Sequence, residues 1–143
     1  MIKKLKNILA LSLIYLQKIK FVKILNTILL LISANLFMTL AWYGHLKFKD
    51  SSWSQNFGLF QIIIISWGIA FFEYCIQVPA NRLGYIGNDG PFSLIQLKVL
   101  QEAITLVVFF VFAFLFFKQE SFRLNHLISA VFLIAAVFFA FKK

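Results

Sequence analysis

Charge is scarce in this chain. Of its 143 residues, 14 are Lys or Arg and only 5 are Asp or Glu. Charged residues make up 13%, where a soluble domain carries about a quarter. One domain's worth of residues is present, with too few polar groups to cover a water-facing surface. Cys75 is the one cysteine, which excludes a disulfide framework or a cysteine-built metal site within one chain. His45 and His126 are single histidines at expected span ends, and no third ligand stands at metal spacing. No nucleophile is paired with a base, and neither a Walker loop nor a dinucleotide fingerprint occurs. Neither an enzyme nor a cofactor is therefore expected. Without an ATP site, any transport would be driven by a gradient. Apolar–polar alternation is missing as well, which argues against membrane β-strands.

What the sequence has is apolar. Hydrophobic residues reach 62%, aromatic ones 18%, and the mean hydropathy is +0.88. The solvent implied is a bilayer. Four apolar runs cover residues 24–43, 57–78, 94–117 and 124–141. A helix needs about 20 residues, within a range of about 17–25, to cross the hydrocarbon core. Helices are also required physically, since backbone groups in lipid must find partners within their own segment. The expected class is an all-α membrane protein with four transmembrane helices.

The connections carry turn chemistry. His45–Asn56 holds Lys47, Lys49, Asp50 and three serines. The stretch 79–93 holds Pro79, Asn81, Gly84, Gly87, Asn88, Asp89, Gly90 and Pro91, and is expected to be a loop. Ser93 followed by Gln96 matches a capping box at the start of the third helix. Residues 118–123 form a short third connection, so the last two helices should make an antiparallel hairpin.

Residues 1–22 stand apart from the span domain at 23–143. Their apolar centre, Ile8–Leu16, is too short to span and is flanked by lysines. Gln17-Lys18-Ile19-Lys20 is no signal-peptide cleavage site. The expectation is an amphipathic helix in the membrane interface, with disorder or a fifth, broken segment joined to the first span as the alternatives. The net charge of +9 has its lysines at the termini and beside apolar runs. Anionic lipid is the partner this implies, and nucleic acid is not expected.

Lysine and arginine also set orientation. Ten lie on the side of the N-terminus: Lys3, Lys4, Lys6, Lys18, Lys20, Lys23, Arg82, Lys98, Lys142 and Lys143. Four lie opposite: Lys47, Lys49, Lys118 and Arg123. Both termini are therefore expected in the cytoplasm. Without residues 1–22 the count falls to five against four, almost no bias.

Three spans carry a polar stripe. In the second, Ser66, Ala70, Glu73 and Gln77 share one helix face. In the third, Lys98, Gln101, Glu102 and Thr105 do the same, and in the first Asn35, Thr39 and Tyr43 repeat every four residues. Such stripes should face one another, because a charge at the bilayer centre costs about 2.5–3.5 kcal/mol on insertion scales. Counted from the expected helix ends, Glu73 and Glu102 lie roughly 8 and 12 Å below one interface, so they could share a level. Two readings stand for each. One is a cation or proton site, where low dielectric favours the protonated carboxyl and brings titration within reach. The other is structural, with Lys98 pairing Glu102 and Arg82 reaching back to Glu73.

The remaining candidates are lesser. Trp67 either packs in the core or walls a solute cavity, where a cation could stack on it. Trp42, Tyr43 and Trp53 are expected as interfacial anchors, and Glu120 and Arg123 as a solvated pair. Ser129, Ala136 and Ala140 give the fourth helix a small-residue face suited to close helix packing or a dimer.

Three segments carry a family resemblance: NLFMTLAWYGHLKF (Asn35–Phe48), SWGIAFFEYCIQVPANRLGY (Ser66–Tyr85) and FSLIQLKVLQEAITLVVFFVF (Phe92–Phe112). Over about Ile24–Phe141 the chain resembles a family of small four-helix bacterial membrane proteins, domain of unknown function 486. That family is placed in the drug/metabolite transporter superfamily. The resemblance implies a small-solute transporter, distantly similar to the small multidrug resistance exporters. Those are dimers that use a glutamate in their first helix. This chain has none there, so Glu73 or Glu102 would take that role.

The expectation drawn from all of this is an inner-membrane protein that exchanges a cationic or amphipathic solute for protons. It would act as a homodimer, since four helices give too little wall for a pathway. Its solute or proton site would comprise Glu73, Glu102, Trp67, Ser66, Gln77, Asn35, Thr39, Gln101 and Thr105. The alternative is a non-transporting subunit that stabilises a larger complex or binds lipid. In that case both glutamates should be satisfied within the chain.

Overall fold

The computed structural model describes residues 2–49, 51, 56–117 and 123–142. Four helices follow in order: α1 (Ile2–Phe48), α2 (Leu59–Gly84), α3 (Leu94–Phe116) and α4 (Leu124–Phe141), with a 3-10 turn at Ile86–Asn88. All four are long and apolar enough to cross a membrane. Their outer faces carry large exposed side chains such as Phe60, Phe72, Phe114, Phe132 and Phe139, which suit lipid. Trp53 and Glu120 lie outside the described residues, as does most of the connection between α3 and α4.

Two helices are longer than their apolar runs. The 47 residues of α1 span about 70 Å at 1.5 Å per residue, more than twice the hydrocarbon core. The helix continues without a break from residues 2–22 into the first span. Lys18 and Lys20 lie about 200° apart around it, so the basic side chains do not gather on one face.

The expected end of the second helix at Val78 needs correction. The helix runs through Pro79 to Gly84. Proline removes one backbone donor and clashes with the carbonyl four residues earlier. Neighbouring helices in a membrane bundle tolerate such a break. The true α2–α3 connection is the tight turn at 85–93. Asp89 there takes a left-handed φ of 58°. A side chain at Gly90 would meet the Gly84 carbonyl at 2.4 Å, so the turn requires glycine. The capping box at the start of α3 forms as expected: Gln96 N donates to Ser93 Oγ at 3.3 Å, and Ser93 N donates to Gln96 Oε1 at 3.0 Å.

Packing is centred on α1, α2 and α3. The most extensive interface is between α1 and α2, and α3 packs on α1. Leu31, Ala80, Phe92 and Leu97 form the buried apolar cluster, supported by Ile24, Leu30, Leu100 and Ile104. The three helices cross at Gly84, where an added Cβ would lie 2.8 Å from Thr27 and 2.9 Å from Leu97. The fourth helix packs against α3 and buries no residue fully.

Candidate functional site

One stripe of α2 faces inward. Glu73, Gln77, Ala80 and Gly84 are its buried residues. Opposite them, α1 buries Thr27, Leu31, Asn35 and Thr39. Thus, among the described residues, five buried ones are polar or charged: Thr27, Asn35, Thr39, Glu73 and Gln77. The expected meeting of polar stripes holds for α1 and α2, and α3 joins it through Thr105.

The bonds of this seam follow helix register. Asn35 and Thr105 each lie eight residues from the crossing at Thr27, Gly84 and Leu97. They therefore share a level, and Thr105 Oγ1 lies 2.5 Å from Asn35 Oδ1. The same hydroxyl is 2.9 Å from the Gln101 carbonyl, and a single proton serves both acceptors. Asn35 Nδ2 donates to the Leu31 carbonyl at 2.8 Å. Asn35 is thus satisfied at both ends of its amide.

Gln77 and Glu73 are not. Gln77 Nε2 donates to Asn81 Oδ1 at 3.4 Å, but its Oε1 is buried and has no partner. One turn further in, Glu73 is 5% exposed. Among the described residues, no hydrogen bond or ion pair engages its carboxylate. A buried acceptor left unpaired costs about 1–3 kcal/mol, and more if charged. Gln77 Oε1 is such a group, and Glu73 lies four residues before it on the same face.

Glu102 has the opposite surroundings. It is exposed and binds Lys98 Nζ at 2.5 Å, one turn away on its own helix. This is the pairing that the structural reading of Glu102 expects. The shared level also fails. Glu73 lies eleven residues from the crossing, about 16 Å, and Glu102 five residues, about 8 Å. The extra turns of α2 beyond Val78 carry Glu73 deeper. Nor does Arg82 reach back to Glu73, since it lines a separate cavity.

The other expected members divide. Ser66 is half-buried on the Glu73 stripe and Gln101 is half-buried on α3. Trp67 is 69% exposed on the outer face of α2, so within one chain it is neither core nor cavity wall. Its neighbour in sequence, Ser66, points inward because 100° separates successive side chains.

A cavity of about 300 Å³ opens between the end of α2 and the start of α3. Asn81, Arg82, Tyr85, Lys98 and Gln101 are among its lining residues. Asn81 is also the partner of Gln77, so it stands between this cavity and the buried pair. Sequence reasoning missed Asn81 by assigning it to a loop after Pro79. The signal was present: Glu73, Gln77 and Asn81 continue one stripe at intervals of four.

No group of three or more metal-ligating side chains occurs among the described residues. No curated protein and no solved structure matches the chain. A family model described as "Putative member of DMT superfamily (DUF486)" matches residues 27–141, which takes in the buried polar residues of the seam and leaves out the whole N-terminal extension, residues 1–22. The chain is therefore a multi-pass membrane protein that belongs to the DUF486 family of the drug/metabolite transporter superfamily.

Proposed function

We propose that the protein transports a small cationic or amphipathic solute in exchange for protons, with Glu73 as the group that alternates between them. Membership of a transporter superfamily supports transport in general. The observation that carries the finer reading is the buried Glu73 carboxylate with no partner among the described residues. A carboxylate kept only for structure should be neutralised, as Glu102 is by Lys98. The orphan Gln77 Oε1 adds a second acceptor on the same face. Two acceptors without donors suit a proton, or a cation bearing N–H groups.

The exchange is balanced in charge. A proton leaves the Glu73 carboxyl as a monovalent cation arrives, and a proton returns as the cation departs. Ser66, Thr39 and the Asn35–Thr105 pair supply polar lining, and Gln101 the approach from the cavity side. We place the protein in the bacterial inner membrane with both termini in the cytoplasm. Lys23, Arg82, Lys98 and Lys142 support this by gathering at one end of the bundle, where Lys23 Nζ donates to the Asp89 carbonyl and Phe92 meets Phe141 edge to face. A homodimer through α4 supplies the missing wall, since that helix buries no residue fully within one chain.

The test is a solute screen in proteoliposomes with a pH-sensitive dye inside. Wild-type protein should couple solute entry to proton exit. Glu73→Gln should insert and fold but lose the coupling. A Glu73→Gln protein with unchanged pH-dependent uptake would remove Glu73 from the mechanism. A subunit without transport activity would give no coupled flux with any solute.

A further inference from the structure

We propose that the cavity between the last turn of α2 and the first turns of α3 binds a phosphate-type anion, either on a lipid headgroup or free in solution. The cavity holds about 300 Å³, at the low end of the range for ligand sites. Its charged lining is entirely basic: Arg82 from α2 and Lys98 from α3. Among the described residues Arg82 has no carboxylate partner, and its guanidinium matches phosphate geometry with two parallel donors. Lys98 is shared with Glu102, which neutralises part of its charge and leaves Arg82 as the main anchor.

Neutral donors complete the lining. Asn81 uses its carbonyl oxygen to accept from Gln77, which turns its NH2 group free to donate. Tyr85 and Gln101 offer a hydroxyl and a second amide. The C-terminus of α2 and the N-terminus of α3 meet here, so their end charges oppose and the side chains decide the sign. That sign is positive, which makes the cavity a poor resting place for a cation. It is therefore distinct from the Glu73 site, from which it is separated by the Gln77–Asn81 contact.

The location fits a headgroup. Arg82 lies in the last turn of its membrane helix, at the level where lipid phosphates sit. Beside the cavity, Leu94 and Ile95 are 67% and 72% exposed, an apolar track on which acyl chains could lie. Basic pockets between membrane helices bind such headgroups.

Full-length protein in nonionic detergent would be titrated separately with phosphatidylglycerol, phosphatidylcholine and inorganic phosphate. Native mass spectrometry would read lipid adducts, and calorimetry would read phosphate. Phosphatidylglycerol should bind more tightly than phosphatidylcholine, and Arg82→Gln should weaken it roughly tenfold through loss of a charge-assisted, bidentate contact. Arg82→Lys should retain part of the affinity, which separates charge loss from misfolding. Lys47→Gln, exposed at the far end of α1, should change nothing. If inorganic phosphate binds with the same dependence on Arg82 and the lipid adds no affinity, the anion is free phosphate and the site stands. Equal binding by wild type and Arg82→Gln overturns the proposal, as does equal binding of the two lipids together with no Arg82-dependent binding of inorganic phosphate.

Discussion

Glu73 and Glu102 are the two carboxylates within membrane helices, and they differ in nearly every respect. Both sit in apolar runs with a polar residue four positions along or before. The residue four before Glu102 is Lys98, and that before Glu73 is Ile69. One turn of helix thus neutralises Glu102 locally, while Glu73 depends on what the neighbouring helices bring. The polar residues that α1 buries are Thr27, Asn35 and Thr39, none of them cationic. An inward-facing acid with no cation beside it is a functional feature by default in a membrane protein. An outward-facing acid with its own lysine is ordinary surface chemistry. The lesson extends to the bundle: among the described residues, the buried side-chain atom left without a partner, Gln77 Oε1, lies in the seam of α1, α2 and α3.

The most severe way to break this comparison is to neutralise each acid in turn. Glu73→Gln should abolish proton-coupled flux, a fall on the order of 100-fold. Glu102→Gln should leave it within about twofold, because its pair is exposed and contributes about 0–1 kcal/mol. Dye-loaded proteoliposomes would read both. Equal losses in the two variants would end the distinction between seam and surface.

A second test concerns orientation, which the seam itself barely specifies. Deleting residues 1–22 leaves five positive residues against four on the two sides. The truncated protein should insert both ways. Cysteine labelling at Lys47 or Lys49, in a Cys75→Ser background, would measure the two fractions. One orientation in the truncated chain would mean that the bundle carries its own topological signal.

Packing gives a third contrast, between glycines on the two faces of α2. Gly84→Ala would push a methyl to 2.8 Å from Thr27 and 2.9 Å from Leu97. It should destabilise the protein by about 1–3 kcal/mol. Gly68 has nothing within 4 Å of its missing Cβ, so Gly68→Ala should be neutral or stabilising by up to about 1 kcal/mol. Unfolding in mixed micelles would compare them.

The smallest expected contrast is between two hydroxyls. Thr105→Val leaves Asn35 Oδ1 without its partner from α3 and should cost about 1 kcal/mol, the size of one interhelical hydrogen bond in a membrane. Ser33 donates to the Leu29 carbonyl of its own helix, so Ser33→Ala should cost less than about 0.5 kcal/mol. A loss for Ser33→Ala equal to that for Thr105→Val would show that crossing between helices adds nothing.

Some of this was legible in the residues alone. The length and apolarity of four runs fix four helices, since a chain in lipid must bond its backbone within each segment. The capping box at Ser93 and Gln96 is local, and local chemistry can be read locally. So can the Lys98–Glu102 pair, which lies within one helical turn. The stripe Glu73–Gln77 was visible by its period. Tertiary structure decided the rest. Pro79 looked like an end, because an isolated helix pays for the lost donor, while packing of Ala80 and Gly84 against α1 and α3 carries the helix onward. That continuation set the depth of Glu73, brought Asn81 beneath Gln77 and placed Arg82 against α3. Trp67 was misplaced for a similar reason: its sequence position gave a depth, but only the packing of α2 on α1 chose which face looks inward. Periodicity determines which residues share a face; the partner helix determines what that face meets.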